Sequence, residues 1–268
     1  MNELKNILDE YNKLIEGDTF DYQRFNQYAI VHHSNAIEGS TLTKEETFLL
    51  LDEQLTPNTK PLEYTLMALD HLEALKYVFE LSFNHKPLSI EILQNLSALV
   101  MKNTGSEISS IAGDFNSSKG DFRKLTVRAG TRTFMDYQKV PRHVESLINQ
   151  VNSEITKTKT IEDVFNLSFD AHYQLVTIHP FADGNGRVSR LLMNYIQGYH
   201  QMPLSVVFQE DKNEYYKALE ETRINEDISI FRGFMLDQTK KHLLQEIETL
   251  SDSPKSSQKG NKGISFLF

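Results

Sequence analysis

The residues that could carry chemistry lie in one run, from His179 to Arg190. The run falls between two segments with helical periodicity, so we predict a loop that leads directly into a helix N-terminus. Gly184 and Gly186 allow the backbone to turn sharply and to approach a ligand closely. The unpaired N–H groups of the following helix would point into this loop and carry partial positive charge. The run therefore predicts a binding site for an anion such as phosphate.

Three kinds of side chain accompany this predicted anion site. Arg187 and Arg190 are three residues apart on the helix, so both could reach a polyphosphate. Asp183 could hold Mg²⁺, because one carboxylate together with substrate phosphates is a common way to bind this ion. Histidine titrates near neutral pH, so His179 is the candidate for taking a proton from a nucleophile. Together these are the components of a phosphoryl- or nucleotidyl-transfer site.

The run also resembles the signature of the Fic (Fido) family, His-Pro-Phe-x-Asp/Glu-Gly-Asn-Gly-Arg followed by x-x-Arg. Every fixed position is present, and a chance match at seven of them has a frequency on the order of 10⁻⁷ per chain. The resemblance covers about residues 88–240. It implies transfer of AMP from ATP to a hydroxyl group of a target protein.

Carried over residue by residue, the resemblance implies that His179 deprotonates the attacking Ser, Thr or Tyr hydroxyl. Asp183 would hold Mg²⁺ against the α- and β-phosphates of ATP. The anion hole and the phosphate contacts would come from Gly184, Asn185, Gly186, Arg187 and Arg190. Asn213, with Tyr215 and Tyr216, resembles a family region near the nucleotide base, although ordinary aromatic packing of a capped helix explains these residues equally well.

A second motif, from Ser34 to Gly39, resembles the family's inhibitory pattern, Ser/Thr-x-x-x-Glu-Gly/Asn. In family members that carry it ahead of the core, its glutamate pairs with the second arginine of the signature, here Arg190. The resemblance implies that Glu38 is a brake, because it denies this guanidinium to the γ-phosphate and repels the nucleotide. Alone, such a motif is typical of a helix C-terminus that ends in glycine, so the interpretation depends on the intact signature.

Helices must position these residues, since helical periodicity dominates the chain. We predict helices over Leu62–Phe83, Ser89–Met101, Val144–Val151, Ile161–Val176, Val188–Tyr195 and within about Tyr215–Leu250. In contrast, residues 122–134 alternate apolar and polar side chains and predict a short β-hairpin. The fold class is therefore all-α with one short β-hairpin, and the resemblance implies a Fic-type helical bundle. The resemblance identifies this hairpin as a flap on which a target protein docks by strand addition.

The chain divides into three predicted regions. Residues 1–87 form an N-terminal helical region with the inhibitory motif, and residues 88–250 form the Fic core with the flap and the C-terminal helices. Residues 251–268 are rich in Ser, Lys and Gly and are typical of a flexible tail.

Composition excludes several classes of function. With 28 Lys and Arg against 37 Asp and Glu, the net charge is −9, which opposes nucleic-acid binding. The absence of cysteine excludes disulfides, thiolate catalysis and Cys-ligated metal centres. The first 17 residues lack the apolar core of a signal peptide, and no apolar run reaches the roughly 18 residues that span a bilayer. We therefore expect a cytoplasmic protein with no membrane partner.

Other functions stay open. The same site could remove AMP from a modified protein, with Glu38 orienting a water, or the chain could bind nucleotide without turnover. A zinc site built on His172 and His179 is disfavoured, because no HExxH pattern or third ligand accompanies them. His172 is instead expected to be a buried, hydrogen-bonded histidine. The target protein is not identified by the sequence, and a homodimer is left open.

Overall fold

The computed structural model describes residues 2–15, 22–129 and 132–252. Over these ranges the chain is mainly helical, which confirms the predicted fold class. The α-helices are α1 Asn2–Ile15, α2 Tyr22–Ile37, α3 Lys44–Glu53, α4 Leu62–Phe83, α5 Ile90–Val100, α6 Val140–Ile155, α7 Ile161–Ile178, α8 Asn185–Tyr199, α9 Lys212–Asn225 and α10 Ile228–Asp252. Short 3₁₀ turns lie at Ser117–Lys119, Tyr137–Lys139 and Gln209–Asp211.

Two short antiparallel ladders lie between α5 and α6. Strand β1, Glu107–Ile108, pairs with β2, Phe115–Asn116. Strand β3, Arg128–Ala129, pairs with β4, Arg132–Thr133. The second ladder is the hairpin predicted within residues 122–134, a segment that we call the flap. The first ladder is not predicted by the sequence analysis.

Helix α8 lies in the middle of the bundle and packs against α4 and α7. Its residues from Arg187 to Gln197 are all buried. Helix α7 is also buried on more than one side, as its apolar residues predict. The loop between these two helices is therefore held at both ends by core packing.

Local capping signals set the start of two helices. The Thr43 hydroxyl accepts a hydrogen bond from the backbone N–H of Glu46, whose carboxylate in turn accepts one from the Thr43 N–H. Thr160 and Asp163 form the same reciprocal pair at the start of α7. Each pair satisfies two otherwise unpaired N–H groups and so fixes the first turn of its helix.

The N-terminal helices pack onto the rest of the bundle. Helix α1 contacts α10, and Leu4 and Leu8 share an apolar cluster with Leu243 and Ile247. Helix α2 contacts α4 and α3. The region boundaries at residues 87 and 250 stay a prediction. Residues 253–268 of the predicted tail lie outside the described residues. In the described part of the chain, no helix combines the length and apolar character needed to cross a membrane.

Candidate active site

The loop between α7 and α8 is fixed by buried groups at both ends. His179 caps α7 in the left-handed region, with φ 55°, and its backbone N–H donates to the carbonyl of Leu175 at 2.9 Å. The Asn185 side chain accepts from the Phe181 N–H at 2.9 Å and donates to the Phe181 carbonyl at 3.0 Å. The Phe181 ring is buried and packs against Phe122. These two hydrogen bonds of the Asn185 side chain hold the loop in place. They do not use the backbone N–H of Asn185, which is left to bind an anion.

The His179 ring is stacked on the flap. Its centroid lies 3.8 Å from that of Phe134, with 23° between the ring planes. Burial lowers the pKa of His179 from 6.5 to about 4, and the nearby positive charges of Arg123 and Arg132 also lower it. The imidazole is therefore neutral at pH 7, which is the state that a general base requires.

The start of α8 offers backbone and side-chain donors to an anion. Gly184 has φ 77°, and a side chain there would press on Val100 and Met101. Arg187 and Arg190 are only 2% and 3% exposed, yet Nε of Arg187 and Nη1 of Arg190 have no hydrogen-bond partner. A buried donor without a partner costs about 1–3 kcal/mol, so these groups fit a ligand with acceptor oxygens such as phosphate.

The second arginine is held by the end of α2. Arg190 Nη2 donates to Glu38 Oε1 at 2.6 Å and to the Ser34 carbonyl at 2.9 Å, while Nε donates to Ser34 Oγ at 2.8 Å. Burial acts to raise the pKa of Glu38, but the charge and hydrogen bond of Arg190 outweigh it, so the pKa is lowered. A side chain at Gly186 would overlap Glu38 Oε1. The structure thus brings the two sequence motifs into direct contact.

Asp183 is the candidate metal ligand, and its side chain is 70% exposed. One carboxylate oxygen accepts from the Gly184 N–H at 2.6 Å, and the other lies 3.9 Å from Arg187 Nη2. No group of three or more His, Cys, Asp or Glu in the described residues could hold a metal ion. A single accessible carboxylate fits Mg²⁺, which takes its other ligands from phosphates and water.

The start of α9 lies beside the same site. Asn213 is exposed in the first turn of this helix, whereas Tyr215 is buried and its hydroxyl lies 2.9 Å from Nε2 of His172. The interpretation of His172 as a buried, hydrogen-bonded histidine is therefore confirmed. Tyr216 is 45% exposed, and burial and the charge of Glu38 raise the pKa of its hydroxyl. The role of Asn213 near a nucleotide base stays a prediction.

One functional candidate, Arg123, is missed by the sequence analysis. This arginine is 1% exposed and donates to three backbone carbonyls, those of His179 at 2.7 Å, Leu125 at 2.8 Å and Met135 at 2.7 Å. Its own N–H donates to the Pro180 carbonyl at 2.9 Å. Arg123 thus joins the loop between α7 and α8 to both ends of the flap. No spacing signal distinguishes it from the other arginines of the hairpin.

Comparison with known proteins gives a consistent family assignment for this site. Residues 87–197 match the model of the Fic/DOC family. The chain is 30% identical over 225 residues to "Protein adenylyltransferase Fic" of Drosophila yakuba, which covers 84% of this chain and 42% of that protein. It is 27% identical over 222 residues to "Protein adenylyltransferase fic-1" of Caenorhabditis elegans, covering 82% and 41%. The chain therefore spans about two-fifths of the length of these curated relatives.

Two solved structures share the fold. A Fic domain containing signaling protein from Bacteroides thetaiotaomicron superposes with a TM-score of 0.78 at 23% identity, covering 94% of this chain and 99% of that one. Fic-1 (residues 134–508) from C. elegans superposes with a TM-score of 0.76 at 23% identity, covering 94% and 72%. The helical bundle with its flap is therefore the fold of Fic proteins.

Proposed function

The chain carries a Fic domain over residues 87–197, and from this premise we propose that it is an autoinhibited protein adenylyltransferase. It would transfer AMP from ATP to a Ser, Thr or Tyr hydroxyl of a target protein and release pyrophosphate. One observation carries the proposal. A neutral histidine, a helix N-terminus and two buried arginines with unused donors meet at a single loop, and a carboxylate from another helix holds one of those arginines.

The triphosphate would lie against the N-terminus of α8. The backbone N–H groups of Gly184, Asn185 and Gly186 would donate to its oxygens, because the first N–H groups of a helix lack partners within the helix. Arg187 would bind the phosphates through its unused Nε. Asp183 would hold Mg²⁺, which supplies charge neutralisation at the α- and β-phosphates when bound.

His179 would act as the general base. It would take the proton of the target hydroxyl as that oxygen attacks the α-phosphorus, and the bond from the α-phosphorus to the bridging oxygen would break to release pyrophosphate. A pKa of about 4 makes a weak base. The negative charge of a bound triphosphate favours the protonated ring, so nucleotide binding would strengthen the base where it is needed.

Glu38 would hold the enzyme in its inactive state. Its carboxylate occupies Arg190 Nη2, the donor that would otherwise reach the γ-phosphate, and Ser34 occupies Nε. Gly39, with φ 105°, turns the chain directly after this carboxylate. An incoming γ-phosphate would meet a negative charge in place of a free guanidinium, so the nucleotide would bind with its α-phosphate out of line for attack.

The test follows transfer of label from ATP labelled on its α-phosphate, in the presence of Mg²⁺. Wild type, Glu38→Gly, Glu38→Gln and the double variant Glu38→Gly/His179→Ala are compared, and intact mass checks for added AMP. We expect little label in wild type, strong label in Glu38→Gly and none in the double variant. Glu38→Gln keeps the size of the side chain without its charge, so its labelling should be intermediate.

Three outcomes would contradict parts of the proposal. Equal labelling of wild type and Glu38→Gly would show that Glu38 does not inhibit the transferase. Labelling of the Glu38→Gly/His179→Ala variant would show that His179 is not the general base. Absence of label in every variant, although each still binds ATP, would contradict the proposed transferase activity.

A second activity, removal of AMP, is favoured by one feature of Glu38. Only Oε1 of this carboxylate accepts a hydrogen bond from the described residues, and the side chain is 28% exposed. The other oxygen could orient a water for attack on an AMP-modified residue. Label on Glu38→Gly protein, once excess ATP is removed, would then be released as AMP by added wild type but not by added Glu38→Gln.

A further inference from the structure

The flap presents two arginines on opposite faces. Arg132 pairs with Ala129, and Arg128 pairs with Thr133. Because alternate residues of a strand point to opposite faces, Arg132 shares a face with Phe134, and Arg128 shares the other face with Thr133. Burial agrees with this assignment, since Phe134 is buried and Arg132 half-buried, whereas Arg128 and Thr133 are exposed.

The face with Arg132 is turned toward the proposed base. The Arg132 guanidinium carbon lies 4.6 Å from the centroid of the Phe134 ring, and that ring lies 3.8 Å from the ring of His179. Arg132 and His179 therefore both lie against the Phe134 ring, and the charge of Arg132 acts on the imidazole. Alternate side chains of an added strand are about 6.6 Å apart, so two of them would face this pair of groups.

The charge of Arg132 is not paired with a carboxylate in the part of the chain that the structure describes. Within residues 2–15, 22–129 and 132–252, no carboxylate lies within 4.0 Å of its guanidinium. Glu220, whose charge reaches Arg132, is bonded to Arg223, which adds a second positive charge to the neighbourhood. A half-buried guanidinium without a carboxylate favours an anionic partner, although the chain as a whole carries a net charge of −9.

We propose that Arg132 selects target segments that carry Asp or Glu two residues from the modified hydroxyl. This inference rests on the proposed function. A target segment that adds to the flap as a strand presents its side chains alternately to the two faces. When its hydroxyl faces His179, the side chains two residues away lie on the same face and meet Arg132. The side chains one residue away face the opposite side, where Arg128 lies.

The experiment uses peptides with a central Ser, Thr or Tyr and a fixed Glu, Gln or Lys at −2, −1, +1 or +2. Labelling from ATP labelled on its α-phosphate is measured with the full chain carrying Glu38→Gly. We expect Glu to raise labelling about fivefold over Gln at −2 or +2 and to have no such effect at −1 or +1. Whether −2 or +2 responds reports the direction of the added strand.

Charge reversal at the flap provides the decisive comparison. In the Arg132→Glu variant, the preference at the same peptide position should change from Glu to Lys. The matched variant Arg128→Glu, on the opposite face, should keep the preference for Glu. Because each preference is a ratio within one variant, a general loss of activity or stability does not affect it.

Two results would overturn the inference. One is equal labelling whatever the fixed residue, and the other is a preference for Glu that survives in Arg132→Glu. Modification of the Glu38→Gly protein by itself separates failure of the inference from failure of the proposed function. Self-modification without labelling of any peptide would overturn the inference alone, whereas absence of both would overturn the proposed function and the inference with it.

Discussion

Arg123 donates from Nε to the backbone carbonyl of His179 across 2.7 Å. The same guanidinium holds the carbonyls of Leu125 and Met135, at the two ends of the flap. A charged donor to a carbonyl makes a stronger hydrogen bond than a neutral one, and this one is almost fully buried. One side chain therefore fixes the position of the proposed base relative to the surface on which a target would dock.

Replacement of Arg123 should reduce transfer more than nucleotide binding. Arg123→Gln leaves buried carbonyls without donors, so we expect the free energy of unfolding to fall by about 2–4 kcal/mol. In the Glu38→Gly background, the rate of transfer should fall at least tenfold, on the order of 1.4 kcal/mol or more, because base and flap lose their common support. The Kd for ATP should change little, since Arg123 contacts neither Arg187 nor Arg190. Denaturant unfolding, labelling rates and calorimetric titration measure the three quantities.

The control for this prediction is Arg142→Gln, which changes an exposed arginine on α6. It should leave stability and transfer unchanged. A Kd for ATP that weakens in Arg123→Gln as much as the transfer rate falls would show that Arg123 supports the whole site and has no specific effect on base and flap.

Ser34 should contribute part of the inhibition. Its hydroxyl accepts from Arg190 Nε at 2.8 Å and so helps to dock the end of α2. Ser34→Ala leaves that donor without its partner while Glu38 stays in place. We expect labelling between those of wild type and Glu38→Gly, with ATP binding severalfold tighter than in wild type, in line with the loss of about 1 kcal/mol of hydrogen bonding.

A buried serine away from the motif provides the control. Ser97 on α5 is buried and its hydroxyl has no hydrogen-bond partner. Ser97→Ala should leave labelling at the wild-type level. Labelling of Ser34→Ala as weak as that of wild type would mean that the Ser34 hydroxyl adds nothing to the inhibition, which Glu38 and the Ser34 carbonyl would then maintain.

The sequence is sufficient to predict the parts of the site that are local. The run from His179 to Arg190 is contiguous, so one loop and one helix place its residues together, and the predicted bounds of α4, Leu62–Phe83, match the structure. The pair of Glu38 and Arg190 spans 152 positions and follows only from the family resemblance. Arg123 is not predictable from either signal, because its partners are backbone carbonyls that any residue could supply.

The pH dependence of transfer at low pH should reflect the burial of His179. Burial, together with the charges of Arg123 and Arg132, lowers its pKa to about 4, so the free ring stays neutral down to about pH 5. Titration of the ring by NMR should therefore show a midpoint well below 6.5. Phe134→Ala removes the stacked ring, which exposes the imidazole and moves its midpoint upward. In the Glu38→Gly background, the pH below which kcat/KM falls should also move upward.

A His179 midpoint near 6.5 in the wild type would show that water reaches the ring and that the stack with Phe134 does not persist in solution.

His71 should make the fold sensitive to acid. It is fully buried on α4, neither ring nitrogen has a hydrogen-bond partner, and burial together with Arg187 and Arg190 lowers its pKa well below 6.5. The unfolded chain therefore binds more protons than the native state once the pH falls below 6.5, so stability falls with pH. Between pH 7 and pH 5, this residue should cost about 2 kcal/mol of stability.

Replacing His71 by leucine tests this contribution, because the change keeps an apolar volume and removes the titrating group. His71→Leu should lose less stability than wild type between pH 7 and pH 5, as measured by denaturant unfolding at each pH. Gln150→Leu, an exposed change on α6 that involves no titrating group, should retain the wild-type pH dependence. If His71→Leu and wild type lose the same stability over this range, the proton is accepted in the native state, and water must then reach the His71 ring beneath the two arginines.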